Sequence, residues 1–182
     1  MVKAPLCGSG YEGSIPFRHP RFMKSEQEQN KFVLQTVQPA LAGLMDGSVS
    51  TLAPIFAAAF ATKNPHVTFL VGLSAAVGAG ISMAFAEALS DDGKLTGRGH
   101  PFRRGVVIGL MTLIGGIFHT IPFLLSDIHA ALTIAYLVVG VELIAIAYIR
   151  YYYFNMRFWL SMLQVVVGGT LVFAAGIIIG TA

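Results

Sequence analysis

The amino-acid sequence predicts an all-α integral membrane protein with five transmembrane helices. Of its 182 residues, 55% are hydrophobic and only 12% are charged, and the mean hydropathy is +0.70. A soluble core of this size cannot bury so much apolar surface, so the composition indicates a membrane protein. A spanning helix needs about 20 mainly apolar residues. Five stretches meet this requirement: 40–62, 66–89, 105–125, 130–149 and 158–181.

The distribution of lysine and arginine predicts the orientation of these helices, because cytoplasmic segments retain basic residues. Eleven of the twelve lie in the N-terminal segment and in the second and fourth loops, whereas the opposite side has Lys63 alone. The N-terminus is therefore expected in the cytoplasm and the C-terminus outside. Aromatic residues between Tyr151 and Trp159 fit an inner interfacial belt. The pI near 9.2 then reflects membrane orientation, and no nucleic-acid partner is expected.

The chain is expected to have two parts. Residues 1–31 are predicted to form a cytoplasmic N-terminal arm and the start of the first helix, and residues 32–182 a single membrane domain. The arm lacks the apolar stretch of about 7–15 residues that a secretory signal contains, so no cleavage is expected. Cys7 is the only cysteine, which excludes an intramolecular disulfide and a multi-cysteine metal cluster. The first helix is expected to bend at Pro39, where a backbone hydrogen bond is lost.

The first apolar helix contains a carboxylate, the side chain of Asp46. A charged Asp at a helix centre costs roughly 2.5–3.5 kcal/mol on translocon scales, so such residues usually face a cavity, a partner or an ion. An interhelical hydrogen bond would also satisfy the carboxylate, although its depth favours a functional role. Further along the helix, Pro54 could free a carbonyl that lines a wet path, or could simply kink the helix.

Three pairs of glycines are spaced four residues apart. Gly43 and Gly47 bracket Asp46, and the same spacing recurs at Gly105 and Gly109 and at Gly176 and Gly180. This spacing lets a second helix backbone approach closely. It predicts tight packing, either within the chain or across a dimer.

Met83 and Glu87, near the end of the second helix, are the candidate partners of Asp46. They are four residues apart and share a face. At 1.5 Å per residue, Asp46 and Met83 lie at about the same depth. Two carboxylates and a thioether favour a divalent transition metal such as Fe²⁺ over Mg²⁺ or Ca²⁺. Alternatively, the methionine fills an apolar contact, and Glu87 is shallow enough to extend to the interface.

Two further ionisable residues, His119 in the third helix and Glu142 in the fourth, are candidates for a proton relay. A neutral imidazole that is hydrogen-bonded inside the bundle is the alternative for His119. The residues one turn from Glu142 on its own helix are all apolar, so any partner must come from another helix, water or an ion.

The second loop, residues 90–104, contains Asp91, Asp92 and His100, which could receive a cation at the cytoplasmic mouth. Four basic residues in the same loop repel a cation and mainly encode topology. The sequence contains no glycine-rich phosphate loop, no suitably placed Ser-His-Asp set and no Glu-x-x-His pair of a di-iron bundle. We therefore expect neither an enzyme nor a tightly bound cofactor.

Two longer stretches carry a family resemblance. Residues 38–62 include the run LMDGSVST from Leu44, and residues 78–104 include ISM from Ile81 and FAEALSDDG from Phe85. Both stretches resemble the vacuolar iron transporter family. Within that family, residues 33–182 are most similar to the transmembrane half of the bacterial membrane-bound ferritins, also called erythrin-like proteins.

The resemblance implies a five-helix homodimer that exports Fe²⁺ from the cytoplasm by proton antiport, along a path lined by the first two helices of both subunits. Asp46 and Met83 match the transport Asp and Met of the family, and Glu87 matches a glutamate of many bacterial members. The chain departs from the family in three respects. Ala75 stands where plant members have a membrane glutamate, the acidic insert after the second helix is reduced to a short loop, and residues 1–31 are too short for a ferritin-like domain.

These observations together predict a transporter of divalent transition metal, Fe²⁺ first and Mn²⁺ second, in a bacterial cytoplasmic membrane. The predicted metal ligands are Asp46, Met83 and Glu87. The predicted partners are a second copy of the chain, membrane lipid, the metal ion and protons. The alternative is a non-transporting membrane subunit that recruits a soluble iron-storage or redox partner through its basic N-terminal segment.

Overall fold

The computed structural model describes residues 26–93 and 97–182, and all regular secondary structure in these ranges is helical. The α-helices are α1 (Glu26–Phe32), α2 (Gln38–Ser50), α3 (Leu52–Thr62), α4 (Pro65–Ala88), α5 (Pro101–Thr120), α6 (Ile128–Phe154) and α7 (Phe158–Thr181). A π-helical segment, Val33–Val37, joins α1 to α2, and a 3-10 turn, Ile121–Leu124, follows α5.

Five helices are long and apolar enough to cross a membrane: Glu28–Thr62, Pro65–Ala88, Pro101–Leu124, Ile128–Phe154 and Phe158–Thr181. The predicted number of spanning helices is therefore confirmed. Most of the predicted N-terminal arm, residues 1–25, lies outside the described residues, and so do residues 94–96 of the second loop. The orientation in the membrane and the division at residue 31 stay predictions.

The first span is helical well before residue 40 and is interrupted twice. The π-helical segment ends directly before the turn that contains Pro39, and the Gln38 N–H donates to the Val33 carbonyl five residues earlier. A wider turn accommodates the proline ring, which would clash with the carbonyl four residues before it in an α-helix. The second interruption, at Thr51, lies three residues before Pro54, whose missing N–H leaves the Ser50 carbonyl without its helical donor.

Two helix boundaries differ from the prediction. α5 begins at Pro101, four residues early, because proline at the first helical position has a suitable fixed φ and needs no N–H partner. Arg104 therefore belongs to a helix and not to the second loop. α6 continues to Phe154, where Asn155 adopts a left-handed conformation (φ 50°) and ends it, so Arg150 is also helical.

The three predicted glycine pairs all pack within the chain. A Cβ at each glycine would meet a backbone carbonyl of a neighbouring helix: Gly43 and Gly47 face Ile108 and Thr112, Gly105 and Gly109 face Ala84 and Gly80 (2.6 and 2.7 Å), and Gly176 and Gly180 face Ala53 and Ala57 (2.8 and 2.6 Å). Side chains at these positions would push the helices apart. The alternative that these glycines serve a dimer contact is therefore not needed to explain them.

The bundle has an apolar outer surface and charged ends. Large hydrophobic side chains such as Leu137, Val141 and Leu171 are about two-thirds exposed along the helices, as expected for a surface that faces lipid. The described basic residues collect at one end, which we call the basic end: Lys31, Arg98, Arg103, Arg104, Arg150 and Arg157. Lys63 lies at the opposite end.

Candidate functional site

Asp46 lies on a stripe of α2 that no other helix in the described residues covers. Its side chain is half-buried, and Ala42 and Ser50, one turn away on either side, are exposed. The neighbouring face of α2, with Gly43 and Gly47, is pressed against α5. Within the described residues the Asp46 carboxylate has neither a hydrogen bond nor an ion pair. It is therefore an unpaired acidic group within a membrane span.

Met83 lies close to the level of Asp46, on the adjacent helix α4. Gly47, which follows Asp46, contacts Thr112 of α5. Gly80 of α4 contacts Leu113, the next residue of α5. Asp46 is thus level with Gly80, and the half-buried Met83 lies about 4.5 Å nearer the basic end. The predicted similarity in depth holds to within one helical turn.

Glu87 is held by two arginines in the structure. The Arg104 Nε–H donates to Glu87 Oε1 at 2.7 Å, and Arg98 Nη2 lies 3.1 Å from the same oxygen. The Arg104 side chain is only 1% exposed. Its guanidinium also donates to Asp91 Oδ2 at 2.8 Å and to the Gly99 carbonyl at 3.2 Å. We call Arg104, Glu87, Asp91 and Arg98 the arginine cluster.

The arginine cluster also determines the state of Asp91, one of the predicted cation-receiving residues. Its second oxygen accepts a hydrogen bond from the Gly93 N–H at 2.7 Å. Hydrogen bonding from Arg104 holds the pKa of Asp91 below its ordinary value, and burial opposes this only in part. Asp91 is therefore an ionised carboxylate whose two oxygens are both engaged.

The predicted mouth site does not assemble as a group of ligands. His100 is exposed at the position before α5 and makes no capping hydrogen bond. Among the residues that the structure describes, no three His, Cys, Asp or Glu side chains are grouped so that they could hold a metal ion. The roles predicted for Asp91, Asp92, His100 and Glu87 in metal binding stay predictions.

The two candidate relay residues meet each other in the middle of the bundle. His119 Nε2 lies 2.8 Å from Glu142 Oε2, with the side chains 1% and 10% exposed. The N–H direction is not aligned on that oxygen, because Glu142 Oε2 still has no oriented hydrogen-bond donor. The contact is thus an ion pair if the imidazole is protonated, and otherwise a close contact of two polar groups. Of the partners that the sequence left open for Glu142, namely another helix, water or an ion, the structure places a side chain of another helix beside it.

Arg104 and Ser48 are among the buried polar groups that were not predicted from the sequence. Arg104 was assigned to a loop, although its position three residues after a helix-starting proline could have placed it on α5. Ser48 is 1% exposed and its hydroxyl has no partner among the described residues. A serine in an apolar run gives no signal of this kind, since most such hydroxyls bond to the carbonyl four residues earlier, as Thr51 and Thr112 do.

Five apolar spans that contain an unpaired carboxylate and a buried His–Glu pair define a multi-pass membrane protein, in which ionisable groups within the spans are candidates for a functional site. A model described as the VIT family matches residues 91–181, half of the chain. The chain belongs to this family, which is the vacuolar iron transporter family that its sequence resembles. It is accordingly a membrane transporter of metal ions and not an enzyme.

The match begins in the second loop and covers α5, α6 and α7. It includes His119 and Glu142, whereas Asp46, Met83 and Glu87 lie before it. No curated protein and no solved structure was found to match the chain. The narrower similarity to the membrane-bound ferritins stays a prediction.

Proposed function

We propose that the protein exports divalent transition metal, Fe²⁺ first and Mn²⁺ second, from the cytoplasm of a bacterium in exchange for protons. The observation that carries this proposal is Asp46, an unpaired carboxylate on an uncovered stripe of a membrane-spanning helix. Such a residue is costly and is retained where it meets an ion or a partner. Its own chain provides no cationic partner for it among the described residues.

A second copy of the chain would complete the site. Two chains related by a two-fold axis present the same surface to each other, so stripes that meet would bring two Asp46 carboxylates together. Two anions without cations repel, and a bound divalent cation removes that repulsion. Met83, on the neighbouring helix and within one turn in depth, adds a soft sulfur ligand that favours Fe²⁺ over Mg²⁺.

Glu87 has a lesser part in this proposal. A metal ion at Glu87 would have to replace the hydrogen bond and ion pair that the carboxylate makes with Arg104 and Arg98. Asp46 needs no such exchange. We therefore expect a severe loss of transport in Asp46→Ala and a milder loss in Glu87→Ala.

Proton exchange follows from the ligand chemistry. Protonation of carboxylates within the spans would compete with metal binding, so metal that arrives from the neutral side would displace protons, and protons from the acidic side would displace metal. The concentration of basic residues at one end agrees with that end facing the cytoplasm, the side from which export would begin.

The test is transport of Fe²⁺ and Mn²⁺ into proteoliposomes under an imposed pH gradient, with luminal pH recorded beside metal. Wild-type protein should show gradient-dependent metal flux, and Asp46→Ala should show none. Serine at position 50 offers a control on the same stripe, because Ser50→Ala removes a polar group without removing charge. Absence of flux of either metal in a folded wild-type dimer would favour the recruiting-subunit alternative instead.

A further inference from the structure

The pair formed by His119 and Glu142 has unused hydrogen-bonding capacity. Apart from their mutual contact at 2.8 Å, neither Glu142 oxygen nor His119 Nδ1 has a hydrogen-bond partner among the described residues. Most buried polar groups in proteins are satisfied. An acidic and a basic group that are buried together and otherwise unpartnered are suited to a small ligand that both can bind.

Other ionisable groups of the surrounding helices lie away from the pair. α7 has none, and α2 and α3 have only Asp46, which is on the exposed stripe. In α5 the others are Arg103 and Arg104, about 22 Å along the helix from His119. In α4 they are His66 and Glu87, near its two ends. In α6 they are His129 near its start, Tyr136, which stacks on Phe56, and those that follow Tyr148.

The charge of the pair therefore depends on how many protons it holds. With one proton the pair is neutral overall, whichever residue carries it. With no exchangeable proton the pair is an isolated buried anion, and with two protons it is an isolated buried cation. Both charged states are disfavoured in apolar surroundings. A single proton shared between Nε2 and Oε2 is thus the ligand to which the pair is best suited.

A divalent metal ion suits this place less well. Fe²⁺ and Mn²⁺ take several ligands, whereas His119 and Glu142 do not belong to any group of three or more metal-ligating side chains in the described part of the chain. A proton needs only the two atoms that are already 2.8 Å apart.

The Glu142 side chain reaches a groove on the bundle surface, although both of its oxygens are buried. Glu142 lines a groove of about 450 Å³ together with Phe118 and Leu137, both of which are roughly half or more exposed. Leu44 of α2 lines the same groove. The other side chains that line this groove are apolar, so the groove separates the pair from water instead of connecting it to either end of the bundle.

We propose that the His119–Glu142 pair binds the proton that is exchanged for metal, at a site separate from Asp46 and on the other side of α2. This inference rests on the proposed function and assigns its proton to particular atoms. α2 connects the two sites: Asp46 lies on its uncovered stripe, and two residues later the unpartnered Ser48 is buried against Gly115, one turn before His119 on α5.

The test compares Glu142→Gln and His119→Gln with wild type in the proteoliposome assay. Each substitution retains the size of the side chain and removes its ability to exchange a proton. Metal flux should become independent of the imposed pH gradient, and the change in luminal pH that accompanies metal should be lost. The matched control is Tyr136→Phe, which removes another ionisable group of α6 and should leave the pH dependence as in wild type.

Infrared difference spectroscopy of metal-free protein provides a second readout that does not need transport. A carboxyl band that responds to pH should be present in wild type and Asp46→Asn and absent in Glu142→Gln. If wild-type protein transports no metal in proteoliposomes but the pH-dependent carboxyl band is present, the proposed function is wrong while the proton site remains supported. Gradient-driven metal accumulation that persists in folded Glu142→Gln, or a band unaffected by that substitution, overturns the inference.

Discussion

The carboxylates of Asp46 and of the arginine cluster lie within a few helical turns of each other but in opposite situations. Glu87 and Asp91 are bound by one buried arginine, whereas Asp46 has no cation within reach in the described residues. A paired carboxylate contributes to the stability of the fold, because removing either partner leaves an uncompensated charge. An unpaired one contributes little to stability and is available to a ligand. The comparison separates carboxylates that stabilise the fold from the carboxylate that we propose to bind metal.

The largest expected effect is on transport by Asp46→Asn. Metal flux should fall to that of protein-free liposomes, because the neutral amide does not replace a carboxylate ligand. The melting temperature in detergent should be unchanged or raised, because the substitution removes an unpaired charge from an apolar span. A pronounced loss of stability would mean that Asp46 has a structural partner, and the comparison would not hold.

Arg104→Gln should lower the stability of the fold, in contrast to Asp46→Asn. It leaves Glu87 and Asp91 without their shared donor and should destabilise the fold by about 2–4 kcal/mol. The measurement is thermal unfolding in detergent micelles. Arg103→Gln is the control, since Arg103 is adjacent but exposed, and it should stay within about 0.5 kcal/mol of wild type.

A smaller effect is expected for the link between Glu87 and Arg104. The double variant Glu87→Gln with Arg104→Gln should be less destabilised than the sum of the two single variants, by about 1 kcal/mol. A double-mutant cycle measures this difference. Strict additivity would indicate that the two side chains do not interact in the membrane.

The smallest effect concerns pH and Asp91. Because Arg104 lowers its pKa in the folded state, Asp91 stabilises the protein above the ordinary carboxyl value of about 3.9, and this contribution disappears as pH falls through the lowered value. Asp91→Asn should therefore melt earlier than wild type at neutral pH, and the two melting curves should converge in strong acid. A constant gap across this range would contradict the assignment.

The sequence was sufficient to predict the number and approximate limits of the spans, because apolar length alone determines them. It was less accurate at the ends. The residues around Arg104 and Arg150 are charged or aromatic and were assigned to loops, although Pro101 and Asn155 set the true helix limits. Composition has little power to distinguish a polar helix end from a loop.

The contacts between polar residues could not be predicted with the same success. Depth estimates from the predicted ends separated His119 and Glu142 by about 9 Å, yet the two side chains touch. Both helices are longer at the basic end than predicted, so the corrected helix limits do not remove this difference. The contact depends on how α5 packs against α6, which counting residues along each helix separately does not give. The pairing of Arg104 with Glu87 depends on the register of α4 against α5. Glycine contacts between the two helices fix this register, and the sequence of one helix alone does not determine it.

The interruption at Thr51 has a mechanical consequence. Below it, α2 is joined to α5 by direct contact at Gly43 and Gly47, and above it, α3 is joined to α7 through Gly176 and Gly180. One continuous span thus has different close neighbours on the two sides of Thr51. Bending of this span is expected near Thr51, where Pro54 leaves the Ser50 carbonyl without its helical donor, and this point lies little more than one turn from Asp46.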